Sequence, residues 1–230
     1  MATIISTVIL SQGLLRVKKF SSEVIKVTGS AEKEITSDYI VWNSWFSRRD
    51  LEMTVAFDKL KEDLKVVKDY LISKGINEEE IVVSQVNTQV LYKKNEKGYN
   101  TNEIEGYLLS QEIEVKSHDV QKVADVSRQS TELINQGIQF ISKAPEYFYT
   151  KLAELKVEML SKATEDAKKR AKNMAVSTGN RIGLMRSARM GVFQITSANS
   201  YEISSWGIND TSSLDKKVTA VVHVSFAIME

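Results

Sequence analysis

Apolar residues alternate with polar ones in some stretches of this chain and recur every three to four residues in others. The two periods divide it into strands and helices. "EVIKVTGSAEKEIT" (23–36) alternates and predicts a first strand, interrupted at Gly29 by a bulge or turn. "YIVWNSWFS" (39–47) predicts a second strand, with Ile40, Trp42 and Phe46 on one face and Tyr39, Val41 and Trp45 on the other. Apolar groups on both faces imply that both are covered. The period then changes: Leu51, Val55, Leu60, Leu64, Val67 and Leu71 form a helical stripe that Gly75 stops. Strands at 80–93 and 104–117, joined by the polar "KNEKGYNTNE", read as a hairpin with a loose tip. In the second of them Tyr107, Leu109, Ile113 and Val115 share a face with Gln111. A second amphipathic helix covers 118–137 and ends at Gly137, and 138–150 is a strand kinked by Pro145, which suits an edge or a bulge.

The third helix runs from about Lys151 to Thr178 and carries Ala163, Ala167, Ala171 and Ala175 at four-residue spacing. Such a ridge of small side chains lets a helix approach its neighbour closely. Residues 181–196 read as strand, and "VTAVVHVSFAIM" (218–229) is a clear one, with Val218, Ala220, Val222, Val224, Phe226 and Ile228 on one face. Between them lies the polar "SANSYEISSWGINDTSSLDKK" (197–217). The predicted order is ββαββαβαββ. It gives an α+β fold of mainly antiparallel sheet, with three long helices packed on one face.

Charge decides what the third helix is for. Its segment "SKATEDAKKRAKNMAVSTGNRIG" (161–183) has six Lys/Arg against two acids, which could suit nucleic acid or a membrane surface. The whole chain, however, sets 31 basic residues against 30 acidic ones, for a net charge of +1. A dedicated nucleic-acid binder shows a clear basic excess. Glu165 and Asp166 lie within helical reach of Lys168, Lys169 and Arg170, and no aromatic side chain accompanies the cations for bases to stack on. Ala faces them where a membrane helix would place large apolar anchors. The helix packs, with a solvated charged face, and no nucleic-acid partner is expected.

The search for chemistry returns little. The absence of Cys excludes disulfides and thiolate sites, and two isolated His disfavour a transition-metal site. His118 precedes the helix-opening Asp119, and His223 reads as a hydrogen-bonded structural residue on the less apolar face of the last strand. "NEEE" (77–80) reads as a solvated turn. The nucleotide-binding, zinc-protease and nucleophile-elbow motifs are absent from the sequence. No catalytic residue, cofactor or metal is nominated, and the expectation is a protein that is not an enzyme. The long polar segment is the exception to this blandness. It carries Tyr201, Ile203 and Trp206, which either fold back to pin their own loop or dock against a partner.

The N-terminal "TIISTVILSQGLL" (3–15) is followed by "RVKKF" and is shorter than the roughly 20 residues that span a bilayer. It reads either as a first strand or short helix or, preferably, as what remains of a signal or membrane anchor at 1–22. A single domain would then occupy 23–230.

Three stretches carry a resemblance: "VIKVTGSAEKEITSDYIVW", "EMLSKATEDAKKRAKNMAVSTGNRIGLMRSARMGVFQI" and the closing "KKVTAVVHVSFAIME". Together they resemble SIMPL-domain proteins, formerly a domain of unknown function, over roughly 23–230. The family's pattern is a strand with Gly, Ala and Glu, and later an Ala-rich helix turning into a Gly-containing strand. The resemblance implies a periplasmic or envelope protein, commonly with an N-terminal signal or anchor that would be its only link to membrane. Some relatives are linked to oxidative-stress tolerance, one type assembles into large ring- or channel-like homo-oligomers, and an animal member gave the name through a pelle-like kinase pathway. It supplies no catalytic residues to carry over. The expectation is therefore a non-enzymatic, self-associating envelope protein. The alternatives are an adaptor for a signalling or envelope partner, and an unrecognised enzyme or small-ligand binder.

Overall fold

A computed structural model describes residues 23–229; the expected anchor segment 1–22 lies outside the described residues. The chain divides into two compact units that share it unevenly. Of the described residues, one takes those up to Ile35, Lys151–Asp210 and those from Asp215; the other takes Thr36–Thr150 and Thr211–Leu214. The first strand, β1 (Val24–Thr36), leads out of the former and into the latter.

The unit around Thr36–Thr150 contains β2 (Tyr39–Asp50), α1 (Met53–Ser73), β3 (Ile81–Val83), β4 (Asn87–Lys94), β5 (Asn100–Ser117), α2 (Val120–Gln129), β6 (Gln139–Ser142) and β7 (Glu146–Phe148). Every pairing in its sheet is antiparallel. β5 lies centrally, with β2 on one side and both β3 and β4 on the other, while β6 and β7 pair the far side of β2. The two helices cover one face. Ile40, Trp42 and Phe46 of β2 pack there with Leu109, Ile113 and Val115 of β5, Leu60 and Val67 of α1, and Val123 and Val126 of α2. The expected alternation of β2 therefore holds on that face. The other face differs from expectation: Tyr39, Val41 and Trp45 are only half-buried, and single side chains stand against Tyr39 and Trp45. Lys143 Nζ stands 4.8 Å from the Trp45 ring centre, and His118 meets Tyr39 edge-on at 5.0 Å.

Three sequence expectations shift in this unit. Leu51 precedes α1 and is 78% exposed; the buried stripe is Ala56, Leu60, Asp63, Val67, Tyr70 and Leu71. Asp63 is admitted because Arg48 of β2 donates to both its carboxylate oxygens, through Nε at 2.5 Å and Nη2 at 2.6 Å. The second helix stays α-helical for 10 residues and then tightens to a 3₁₀ turn at Ser130–Gln136. Ser127 and Ser130 donate to the carbonyls of Ala124 and Ser127, a competition that disturbs the regular ladder. Finally, the strands expected at 80–93 and 138–150 are each broken in two, at Ser84–Val86 and around Pro145. Proline, lacking an N–H, interrupts the ladder.

The other unit holds most of β1, then α3 (Leu152–Val176), β8 (Arg181–Met190), β9 (Gln194–Ser197), β10 (Ile208–Asn209) and β11 (Asp215–Met229). β11 is flanked by β1 on one side and by β9 and β8, both antiparallel, on the other; β10 adds to β9 in parallel. Val218, Ala220, Val222, Val224 and Phe226 are buried, as their spacing predicts. The Ala ridge is buried as well: Ala163, Ala167 and Ala171 have no exposed surface. The expected interruption at Gly29 does not occur, since β1 runs through it from Val24 to Thr36. A Cβ there would meet the Ala163 carbonyl oxygen at 2.2 Å and the Ala167 nitrogen at 2.5 Å. Only a residue without a side chain fits between this strand and this helix. One turn further along, the Ser30 N–H donates to Asp166 of the helix at 2.9 Å.

Candidate functional site

The three large side chains singled out in the sequence sit on the loop 198–207, between β9 and β10. This loop is fixed at its base. Gln194 of β9 acts like a short strand, accepting from Ser204 N–H at 3.3 Å and donating through Nε2 to Ser204 O at 2.7 Å. Gly207 turns the chain back with φ of +86°, a left-handed conformation that L side chains rarely adopt, and its N–H donates to Ser204 O. Ile208 and Asn209 then pair Gln194 and Ile195, and Asp210 N–H donates to Ile195 O. Beyond the loop, Lys216 is buried and donates to the Asp210 carbonyl. Burial pushes its pKa below the usual lysine range, and the charge of Asp210 opposes that shift.

On this fixed base the three side chains point outward. Tyr201 is 91% exposed, Ile203 86% and Trp206 93%. The reading in which they fold back and pin the loop is not what the structure places; the Gln194–Ser204 clasp does the pinning. Tyr201 has one neighbour of note, Lys217, whose Nζ stands 4.7 Å from its ring centre. Tyr201 and Ile203 edge a cavity of about 450 Å³ over the sheet face turned away from α3, floored by Thr219 and Val221 and bordered by Glu32. Trp206 edges a second, of about 510 Å³, with Leu152, Met190, Val192 and Phe193. The loop thus separates two apolar hollows and raises an aromatic at each. Sequence reading found the three large side chains and missed Gln194, since a polar residue on a strand is too ordinary to signal a clasp.

Elsewhere, groups with chemical potential are engaged structurally. His118 Nδ1 donates to the Asp38 carbonyl, 2.9 Å away, and stands beside the cap of α2, where Asp119 accepts from Lys122 N–H. Glu80 closes a capping box with Asn77, and Glu78 pairs Lys68, which fits the expected solvated turn at 77–80. His223 lies 3.0 Å from Thr28 Oγ1. Among the described residues no group of three or more His, Cys, Asp or Glu is placed to hold a metal ion. Among the same residues no helix is long and apolar enough to cross a membrane.

Comparison with known sequences yields one family: SIMPL, a protein of unknown function (DUF541), matches residues 25–226. No curated protein matches the chain.

Proposed function

The chain belongs to the SIMPL family, and from that premise we propose that it is a non-enzymatic cell-envelope protein that works by associating with copies of itself. The observation that supports this most is the exposure of Tyr201, Ile203 and Trp206, at 91%, 86% and 93%, on a loop that needs none of them for its own shape. Large aromatics bury roughly 150–250 Å² each when covered. Tyr201 and Trp206 together offer roughly 300–500 Å², about half of the ~800 Å² per partner of a standard interface, and Ile203 adds to it. Aromatic anchors are also where binding energy concentrates. Placement in the envelope, and a contribution to stress tolerance there, rest on the family resemblance.

The test compares oligomeric mass by light scattering, and thermal midpoint, for three proteins: the wild type, Trp206→Ala, and a variant with 199–206 replaced by a Gly/Ser linker. The replacement stops short of Gly207 because β10 and the backbone bonds at Thr211 and Leu214 follow it. The expected result is a multimeric wild type whose mass falls in both variants while the midpoint of the separated subunit holds. Unchanged mass in both would remove the loop from assembly. A monomeric wild type would overturn self-association and favour an adaptor that presents the same loop to another protein.

A further inference from the structure

The face of the β1–β11–β8 sheet turned away from α3 carries a second, unrelated feature. Lys26 and Thr28 on β1, His223 and Ser225 on β11, and Ser187 and Arg189 on β8 line one shallow cavity of about 280 Å³. Each pair is spaced by two residues, so both members project to the same side of their strand. Across strands they stand in register: His223 is opposite Arg189 and Ser225 opposite Ser187, with their Oγ atoms 2.5 Å apart. Thr28 Oγ1 meets His223 Nδ1 at 3.0 Å. The result is a grid of two rows and three strands, roughly 10 Å by 7 Å from strand spacing and rise. It contains a lysine, an arginine, an imidazole and three hydroxyls.

No carboxylate lines it. Neither Lys26 nor Arg189 forms an ion pair among the described residues. The next acid along β1 on this face is Glu32, four residues from Thr28 and so about 13 Å away, beyond the ~8–10 Å over which exposed charges interact at ordinary salt. On α3, by contrast, acids stand one turn from some of the cations, as in Lys162–Glu158 and Arg170–Asp166. Lys26 and Arg189 stand on the two strands that flank β11, at opposite corners of the grid, and neither is neutralised by a neighbouring acid. An oxyanion seated between them would meet both cations and accept from the donors not already used in the Thr28–His223 and Ser187–Ser225 contacts.

We propose that Lys26, Thr28, Ser187, Arg189, His223 and Ser225 form a binding site for one tetrahedral oxyanion, a phosphate or the phosphate of a monoester. Arg189 supplies a forked pair of N–H donors suited to two oxygens of one phosphate, Lys26 supplies a point charge at the opposite corner, and the hydroxyls take the remaining lone pairs. The phosphate can be free in solution or the headgroup of an anionic lipid, since the site recognises the same oxygens in both.

The full chain is labelled with ¹⁵N and titrated with inorganic phosphate at constant ionic strength, following backbone amides. In parallel it is sedimented with phosphatidylcholine vesicles with and without phosphatidate. Arg189→Ala and Lys26→Ala test the site; Lys97→Ala, in the hairpin tip of the other unit, controls for net charge. Preserved spectral dispersion checks that each variant folds. The expected result is saturable shifts confined to 26–28, 187–189 and 223–225, weakened at least about tenfold by Arg189→Ala and unchanged by Lys97→Ala. Sedimentation with phosphatidate alone, abolished by Arg189→Ala, would assign the same site to a lipid headgroup. Shifts that never saturate, an equal loss in Lys97→Ala, or silence in both arms would overturn the proposal.

Discussion

Two helix-on-sheet seams in this chain meet the same packing demand with side chains of opposite size. Where α1 and α2 lie on β2 and β5, the space is filled by Trp42, Phe46, Ile40 and Leu60, all essentially without exposed surface. Where α3 crosses β1, it is filled by small side chains and a glycine. Ala163 and Ala167 stand over Gly29, and a Cβ on that glycine would be only 2.2 Å from a helix carbonyl. The first seam holds elements apart with volume and can lose it. The second brings backbones together and has no room to gain. The polar links follow the same split. The large-residue seam encloses the Arg48–Asp63 pair, with side chains 27% and 6% exposed. The close seam instead places Asp166 within reach of a strand N–H, at the rim.

The large-residue seam should break most severely on truncation. Trp42→Ala removes a fully buried indole, its 3.0 Å bond to Ser142 and its packing against Phe140. The expected loss is about 4 kcal/mol, within the usual cost of emptying an aromatic site, read from chemical denaturation. A loss near that of a surface change would mean the seam refills itself. Asp63→Ala should come next, at about 3 kcal/mol, because it leaves the Arg48 guanidinium half-enclosed without its partner. The double variant Arg48→Met/Asp63→Leu should recover most of this, since two apolar groups replace the pair without an orphaned charge. Failure to recover would show that the pair sets the angle of α1 and not merely its charge balance.

The close seam inverts the size rule. Ala167→Leu adds volume where there is none and should cost about 2 kcal/mol. Lys169→Ala, two residues on along the exposed side of α3, should stay within about 0.5 kcal/mol. The contrast is sharpened by Ala167→Gly, which removes volume and should cost only the helix-propensity difference of about 1 kcal/mol. Similar small effects at Ala167→Leu and Lys169→Ala would mean that α3 stands further from the sheet than Gly29 implies.

These seams also explain what the sequence discloses. The Ala ridge and the β11 alternation are periodic, and a period survives without its partner. The role of Gly29 is not periodic. It depends on a helix more than 130 residues away in sequence, so locally the glycine looks like a bulge. Asp63 escapes for a related reason: a polar residue on an apolar stripe is legible only once Arg48 is known to face it. The two units are invisible in the sequence because no linker separates them; each is pieced together from separate stretches of chain. At the loop, Tyr201, Ile203 and Trp206 are legible as large groups in a polar segment. Their outward direction is set by Gln194 and Gly207, whose pairing is geometric. The oxyanion grid is hidden most fully, since its six residues come two at a time from three strands with no local excess of charge.

The smallest effect expected concerns the rim of the close seam and its pH dependence. Glu158 on α3 accepts from Lys162, one turn on, at 2.7 Å and from Lys33 of β1 at 2.8 Å. The two ammonium groups hold its pKa down, from 4.5 to about 2. A carboxylate lowered by folding contributes stability that is fully present above its unfolded value and is lost as pH falls through its folded one. The window therefore runs from about pH 4.5 down to about pH 2. Because the group is exposed, solvent and salt screen the contribution heavily. Asp166 is lowered too, by the Ser30 N–H ahead of Arg170, so the wild-type acid limb alone cannot isolate Glu158. The informative quantity is the difference in thermal midpoint between the wild type and Glu158→Gln, followed across that window at low and high salt. It should be small and positive at pH 6, shrink toward zero as the window is crossed, and be reduced by salt. A difference that stays constant to pH 2 would show that Glu158 acts through side-chain packing and not through its charge, and would leave Asp166 as the electrostatic link between α3 and β1.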